Sequence, residues 1–272
     1  KMSYEDIKKF VDNYNIKPLI VTPCYGGQVF LGYMNSVLRM VSLFTKIGIP
    51  FDIFNFGGES LITRGRNTAI ARFMNTDCSH LIFIDADITF KTEDIINLLL
   101  SKKEIIGGVY PKKGLNYEKM KKHINNTTNL NDLLLKSSDM AFNPLLDENN
   151  KIVYEKDLIR CKNIPTGFMC IARSLLESMI LKYNEYKYTN NISGYDSICN
   201  KDCFIDLFQV GRDAHNIYLS EDYFFCNLVI KMGINIYADP QIQLSHTGSM
   251  DFIGCLDIQD DLLLDQDTKV LL

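Results

Sequence analysis

Between residues 17 and 110, short apolar runs alternate with amphipathic stretches, and this alternation restricts the chain to very few architectures. KPLIVT (17–22) is an apolar strand ending at the turn PCYGGQ. Residues 30–47 carry Phe30, Met34, Val37, Leu38, Val41 and Phe44 at helical spacing. FDIFNF (51–56) alternates as a strand and stops at Gly57-Gly58. Ser60 is then placed to cap a helix through TRGRNTAIARFM (63–74). HLIFID (80–85) has the unbroken apolar character of a strand buried on both faces. Thr92 opens the next helix, with Glu93 and Asp94 in the first turn, where the helix dipole favours acids. EIIGGVY (104–110) is a fourth strand, closed by Pro111.

Strand and helix alternating in this way imply an α/β fold with a Rossmann-like, mostly parallel central sheet flanked by helices. Ligands of such sheets bind beyond the C-terminal strand ends. Here those ends are Thr22-Pro23, Phe56-Gly57, Asp85-Ala86-Asp87 and Tyr110-Pro111.

Residues 112–150 are rich in Lys and Asn, weakly periodic, and read as an excursion from the sheet. Order returns with IVYEKDLIRCKN, a Pro165-Thr166-Gly167 turn, the strand FMCIA and a helix from Ser174. The stretch 183–218 is polar, aromatic and loop-like. LSEDYFFCNLVIKMG then starts a helix that Ser220 caps and Gly233 stops, and INIYADP is a further strand. The expected organisation is one domain over 1–254. Its nucleotide-side half is about 17–111, a smaller acceptor-side half is about 151–254, and an acidic extension follows over 255–272.

Composition removes several classes. The net charge of −4 speaks against a nucleic-acid reader, which carries a basic face. No apolar run approaches the roughly 18 residues of a transmembrane helix. The opening KMSYEDIKKFVDNYNIK lacks the apolar core of a signal peptide, and Lys1 ahead of Met2 reads as an added residue. The eight cysteines form no CxxC pair and have only four histidines to join them, so they read as reduced residues of an intracellular protein rather than a zinc site. The expected compartment is the cytoplasm, or for a viral protein the host cytoplasm or virion.

The strongest chemical signal is FIDADITF. Asp85 and Asp87 come two positions apart off a buried apolar run, where both carboxylates can reach one cleft. Mg²⁺ or Mn²⁺ is held by one or two carboxylates together with phosphate oxygens. Two chemistries use such a pair. In nucleotide-sugar transfer the acids hold a metal at the diphosphate. In haloacid-dehalogenase-like phosphatases the D-x-D-x-T string, here Asp85-Ala86-Asp87-Ile88-Thr89, supplies a nucleophile and a general acid. That motif follows the first core strand, whereas two strand–helix units precede it here. Arg64, Arg66 and Asn67 lie near a helix start that faces the same sheet end, an anion-site arrangement that also suits a solvated basic face. Glu221 and Asp222 sit in a first helical turn, which the dipole alone explains, although a carboxylate there can also serve as a base. His246, between a strand and a Gly turn, is a candidate third ligand for Mn²⁺.

Taken in order, RGRN, LIFIDADITF, GGVYPKK, PTGFMCIAR, LSEDYFFC and LSHTG resemble the GT-A fold glycosyltransferases of the family 2-like group found in bacteria and large DNA viruses, over roughly 17–254. The resemblance implies a metal-dependent glycosyltransferase with a nucleotide diphosphate sugar, most simply a UDP-sugar, as donor, inverting if Asp222 serves as the base, with a retaining outcome left open by the sequence. Thr22 and Pro23, with Tyr25, would line the base pocket. Arg64, Arg66 and Asn67 would contact the nucleotide or its diphosphate. Asp85 and Ala86 would sit at the ribose, with Asp85 also near the metal. Asp87 and His246 would ligate Mn²⁺ or Mg²⁺. Gly167 and Phe168 would form the donor-sugar and acceptor platform, and Asp222 would be the base with Glu221 supporting it. The acceptor would be a glycan, a protein or a small molecule. No QxxRW string follows SED, which with the lack of a membrane segment argues against a processive synthase. A catalytically silent nucleotide-sugar binder shares all these features.

Overall fold

The computed structural model describes residues 2–126 and 129–248. The expected acidic extension, 255–272, lies outside the described residues. The chain begins with α1 (Tyr4–Asn13), whose first turn is capped by the Ser3 hydroxyl, and enters β1 (Pro18–Cys24). Next come α2 (Leu31–Ile47), β2 (Asp52–Gly57), α3 (Ile62–Phe73) and β3 (His80–Ile84). A two-residue strand β4 (Ile88–Thr89), α4 (Thr92–Leu100) and β5 (Ile105–Gly107) follow. The excursion holds α5 (Tyr117–His123) and α6 (Leu130–Lys136). The second half comprises β6 (Asn143–Pro144), β7 (Tyr154–Glu155), β8 (Leu158–Asn163), β9 (Phe168–Ala172) and α7 (Arg173–Lys182). After a small hairpin of β10 (Gly211–Arg212) and β11 (Tyr218–Leu219), the described chain finishes with α8 (Glu221–Lys231), β12 (Ile236–Ala238) and β13 (Ser245–His246).

Among the described residues, nine strands form one sheet in the order β2-β1-β3-β9-β5-β12-β8-β6, with β7 on the edge of β8. β2, β1 and β3 pair in parallel, as do β5 and β12. Only β8 and β9 run against the others. The expected mostly parallel α/β sheet flanked by helices is what the structure shows, with β9 inserted between β3 and β5.

Period-two alternation divides the core into two layers. Leu19 and Val21 of β1, Leu81 and Phe83 of β3, and Met169 and Ile171 of β9 face α3, α7 and α8. The intervening Ile20, Ile82, Ile84, Phe168 and Cys170 face α1, α2 and α4. Each of these side chains is essentially removed from water. Burying one such chain contributes roughly 1.5–3 kcal/mol, so the central strands tolerate no shift of register. The seven described cysteines are free and buried, most of them within these layers, while Cys255 lies outside the described residues.

Several local expectations need correction. Ser60 does not cap α3: its N-cap is Leu61, and the Glu59 carboxylate accepts the Leu61 N–H at 2.9 Å. Ser220 occupies the N-cap of α8, but its hydroxyl donates to Asp222 instead of taking a backbone N–H. The strand expected over 104–110 ends at Gly107. There a Cβ would stand 2.8 Å from the Phe168 carbonyl, and at Gly108 2.9 Å from the Phe168 ring, so the chain passes close against β9 and then turns away. The excursion is more ordered than its composition suggests, because Asn116 and Asn129 cap α5 and α6.

Candidate functional site

A cleft of about 510 Å³ opens beyond the C-terminal ends of β1, β2 and β3. Its floor is the run Asp85-Ala86-Asp87. Its walls include Pro23, Tyr25 and Phe30 on one side and Phe56, Glu59, Arg66 and Glu221 on the other. Gly26 and Gly27 take φ of 74° and 70°, which lets the chain turn sharply away from β1 and leave the cleft open. The Phe30 N–H donates to the Ala86 carbonyl at 3.0 Å and ties the start of α2 to the floor.

Arg66 sits behind this floor with 3% of its surface exposed. Its Nη2 donates to Asp85 Oδ1 at 3.2 Å, and its Nε lies 3.5 Å from Glu221 Oε1. The guanidinium lies over the Phe83 ring at 5.3 Å. Among the described residues, Nε and Nη1 are buried without a hydrogen-bond partner. A buried guanidinium with two unmet donors has capacity for an anionic oxygen.

Asp87 and His246 meet because β13 pairs antiparallel with β4, setting His246 opposite Ile88, and the Thr247 N–H donates to the Asp87 carbonyl at 2.9 Å. His246 Nε2 stands 3.4 Å from Asp87 Oδ2, and its Nδ1 is 2.8 Å from the Pro111 carbonyl. Lys113 Nζ reaches the same Asp87 oxygen at 2.5 Å. Burial works to raise the Asp87 pKa, but His246 and Lys113 outweigh it and hold it down at about 2. Burial likewise works to lower that of His246, but Asp87 and the Pro111 carbonyl win, and it lies above the usual imidazole value. Asp87 Oδ1 is buried with no partner among the described residues.

Asp85, Asp87 and His246 do not gather into one ligand set. Asp85 is drawn toward Arg66, and the three do not bring ligand atoms within 4.8 Å of one another. Among the described residues, the group that does is Asp52, Asp77 and Cys78. It lies at the opposite, N-terminal end of the parallel strands. There Lys17 Nζ stands 3.0 Å from Asp52 and 2.6 Å from Asp77, so a lysine already supplies the cation.

Other expected residues stand outside the cleft lining. The Thr22 hydroxyl is buried against the Tyr33 hydroxyl at 2.5 Å, facing α2. Arg64 turns to the Glu59 carboxylate at 2.7 Å, beside a separate pocket. Asn67 is buried, donating to Asp206 at 2.7 Å and accepting from the Phe208 N–H at 2.9 Å. Phe168 is a core side chain against Phe90. Asp222 accepts from the Ser220 hydroxyl and from the Tyr223 N–H at 2.8 Å, and it does not line the cleft. Gly167 is at the site: a Cβ there would lie 2.5 Å from the Tyr110 hydroxyl and 2.8 Å from Asp85 Oδ2.

In the sequence Tyr110 stands only at a strand end, and nothing there marks it as part of the site. Its hydroxyl accepts the Gly167 N–H at 3.2 Å, and its ring meets His246 edge-on at 5.0 Å. Burial and then the Asp85 charge push its phenol pKa upward, with Asp222 adding to the effect. Lys113 and Glu59 also escaped the sequence reading. Lys113 was visible only as part of PKK, a pair of ordinary surface lysines, and Glu59 as a residue of a glycine-rich break.

No family model matches this chain, and no curated protein does. Solved structures similar to it include A197 from STIV, at 14% identity and a TM-score of 0.46, covering 89% of this chain and 98% of that one. GalNAc-T7, solved with UDP, GalNAc and Mn²⁺, is similar at 9% identity and a TM-score of 0.47, over 87% of this chain and 44% of its own. The inositol-1-phosphate CTP transferase from T. maritima is similar at 8% identity and a TM-score of 0.40, over 86% and 89%. No helix among the described residues is long and apolar enough to cross a membrane.

Proposed function

We propose that the chain is a GT-A-like glycosyltransferase that moves a sugar from a nucleotide diphosphate donor, a UDP-sugar, to an acceptor hydroxyl. The observation that carries this reading is Asp87: one carboxylate oxygen is faced by His246 and the other is buried with no partner among the described residues, just past the end of a central strand. One carboxylate, one imidazole and room for phosphate oxygens make a donor set that suits Mn²⁺ or Mg²⁺. Asp87 and His246 would hold the ion, with Lys113 moving off the carboxylate. A bound divalent ion supplies positive charge where the diphosphate leaving group becomes more negative. The unmet Arg66 donors add a fixed cation on the same side of the cleft. Pro23, Tyr25, Phe30 and Phe56 offer an apolar slot suited to a nucleobase.

Asp222 is the proposed base. Glu221 is paired with Arg66 at 3.5 Å, so its carboxylate is committed to a fixed cation. Asp222 has no ion-pair partner among the described residues, only the Ser220 hydroxyl and a backbone N–H, and its charge is felt at Tyr110. It stands outside the cleft lining, but unlike Glu221 it is not committed to a cation, so an acceptor hydroxyl that reaches it can hand over its proton as it attacks the anomeric carbon.

A thermal-shift panel of UDP, GDP, CDP and dTDP, each with and without Mn²⁺, tests the donor site, since a ligand that binds only the folded state raises the midpoint. A UDP shift that requires Mn²⁺ is expected. Asp222→Asn should then abolish transfer and keep that shift. Silence toward every nucleotide, with phosphate released from a generic phosphomonoester, would replace this reading with the phosphatase one.

A further inference from the structure

A second pocket of about 380 Å³ lies on the other flank of α3, walled by Arg64, Glu185, Tyr186, Tyr188, Asp206 and Gln209. Gly65 and Arg66 line the cleft, while Thr63, Arg64 and Asn67 line this pocket. One helix of about 10 Å diameter therefore separates the two. Glu59 links them: it lines the cleft and grips Arg64 at 2.7 Å.

The pocket is built, not incidental. Lys187 and Ile205 form an antiparallel bridge, flanked by Tyr188 N–H to Phe204 carbonyl and Asp206 N–H to Tyr186 carbonyl bonds, both 3.0 Å. Asn67, itself 1% exposed, holds Asp206 Oδ1 at 2.7 Å and the Phe208 N–H at 2.9 Å. Gln209 Nε2 donates to the Asp206 carbonyl at 2.9 Å. Tyr186 is stacked on Tyr183 with planes 3° apart and centroids 5.8 Å apart, and Tyr183 is anchored by its hydroxyl on the Leu228 carbonyl at 2.6 Å.

Its chemistry selects the ligand class. The charge of Arg64 is taken up by Glu59, and Lys187 shares the pocket with Glu185 and Asp206. Among the described residues no surplus cation remains for a phosphate. Nor does the lining suit an apolar ligand, since four of its side chains are ionisable acids or bases. Carboxylates, an amide, a guanidinium and a fixed tyrosine face together match a neutral ring bearing several hydroxyls. We propose that this pocket is a saccharide-binding subsite that holds the non-reacting sugar of a glycan acceptor. Its role as acceptor site rests on the transferase reading; its chemistry does not.

The test is saturation-transfer NMR on the full chain with lactose, maltose, cellobiose and N,N′-diacetylchitobiose. At least one disaccharide should bind, and Tyr186→Ala and Gln209→Ala should each weaken it about tenfold, the loss of roughly one well-made contact. Gln209→Ala covers the case in which the tyrosine variant fails to fold. The Mn²⁺-dependent UDP shift should be unchanged in both. No binding of any of the four, or binding that both variants leave intact, overturns the subsite. Saccharide binding without any nucleotide shift would instead remove the transferase reading and leave the subsite standing.

Discussion

Arg66 Nη2 lies 3.2 Å from Asp85 Oδ1 while its Nε lies 3.5 Å from Glu221 Oε1, so one buried guanidinium joins the end of β3 to the start of α8. These elements are far apart in sequence and carry the two acidic motifs of the cleft. Removing the charge leaves Asp85 and Glu221 facing each other without a counter-ion. Arg66→Gln should destabilise the fold by about 3–5 kcal/mol, as expected for breaking a buried pair, and should abolish nucleotide binding. Arg66→Lys should recover much of the stability but little of the binding, because a point charge cannot replace the fork. Denaturant unfolding and a UDP titration on both variants read the two effects apart. Equal loss of binding and stability across the pair would reduce Arg66 to a structural role.

Gly167 has no room for a side chain between Tyr110 and Asp85. Gly167→Ala must push the Tyr110 hydroxyl or the Asp85 carboxylate aside, at a cost of about 1–3 kcal/mol. Transfer should fall more than tenfold even at a temperature where the variant is fully folded, since a shift of about 1 Å at the reacting groups has that effect. Circular dichroism alongside a turnover assay checks it. Unchanged turnover would show that the site adapts to the methyl group.

The framework of this site was legible in the sequence, and its detailed aim was not. The runs LIVT, LIFI and FMCIA read as buried strands because both of their faces are apolar, and each proved central. The position of Asp85 and Asp87 followed from the end of such a run. The face of each neighbouring residue did not. Successive strand residues point to opposite sides, so Pro23 lines the cleft while Thr22 turns to Tyr33. Successive helical residues are about 100° apart, so Arg64 and Arg66, two positions apart, cannot both face one cleft. Arg66 does, and Arg64 turns to Glu59. Asn67 is held by Asp206 and Phe208, which lie in a loop without periodicity, and no local pattern announces such a contact.

On the proposed transferase reading, the Asp87–His246 contact predicts how metal binding would be lost. Asp87→Asn keeps the shape of the side chain and removes the charge that Lys113 and His246 both address. The Mn²⁺-dependent part of the UDP shift should disappear, and isothermal titration should show no saturable Mn²⁺ binding. His246→Gln removes a proposed direct ligand and should weaken Mn²⁺ by at least the roughly tenfold or more seen when a group supporting a metal ligand is lost. Metal binding unaffected by either change would place the ion elsewhere.

His80, at the far end of β3 from the cleft, carries a separate pH signature. Burial depresses its pKa from 6.5 to about 4, and the Ser79 hydroxyl lies 2.8 Å from its Nδ1. The folded state therefore holds the ring neutral, while the unfolded chain protonates it near 6.5. Stability from this residue is present above pH 6.5 and falls as the pH drops from 6.5 toward 4, because over that range the unfolded state binds more protons. At about 1.4 kcal/mol per pH unit, the whole window amounts to about 3.5 kcal/mol at most. Other acids titrate nearby, so the quantity to measure is the difference in unfolding free energy between wild type and His80→Gln at pH 7.5 and pH 4.5. The wild type should lose ground to the variant by about 2–3 kcal/mol between those values. A difference that does not change with pH would mean that the imidazole takes up its proton equally well in the folded chain.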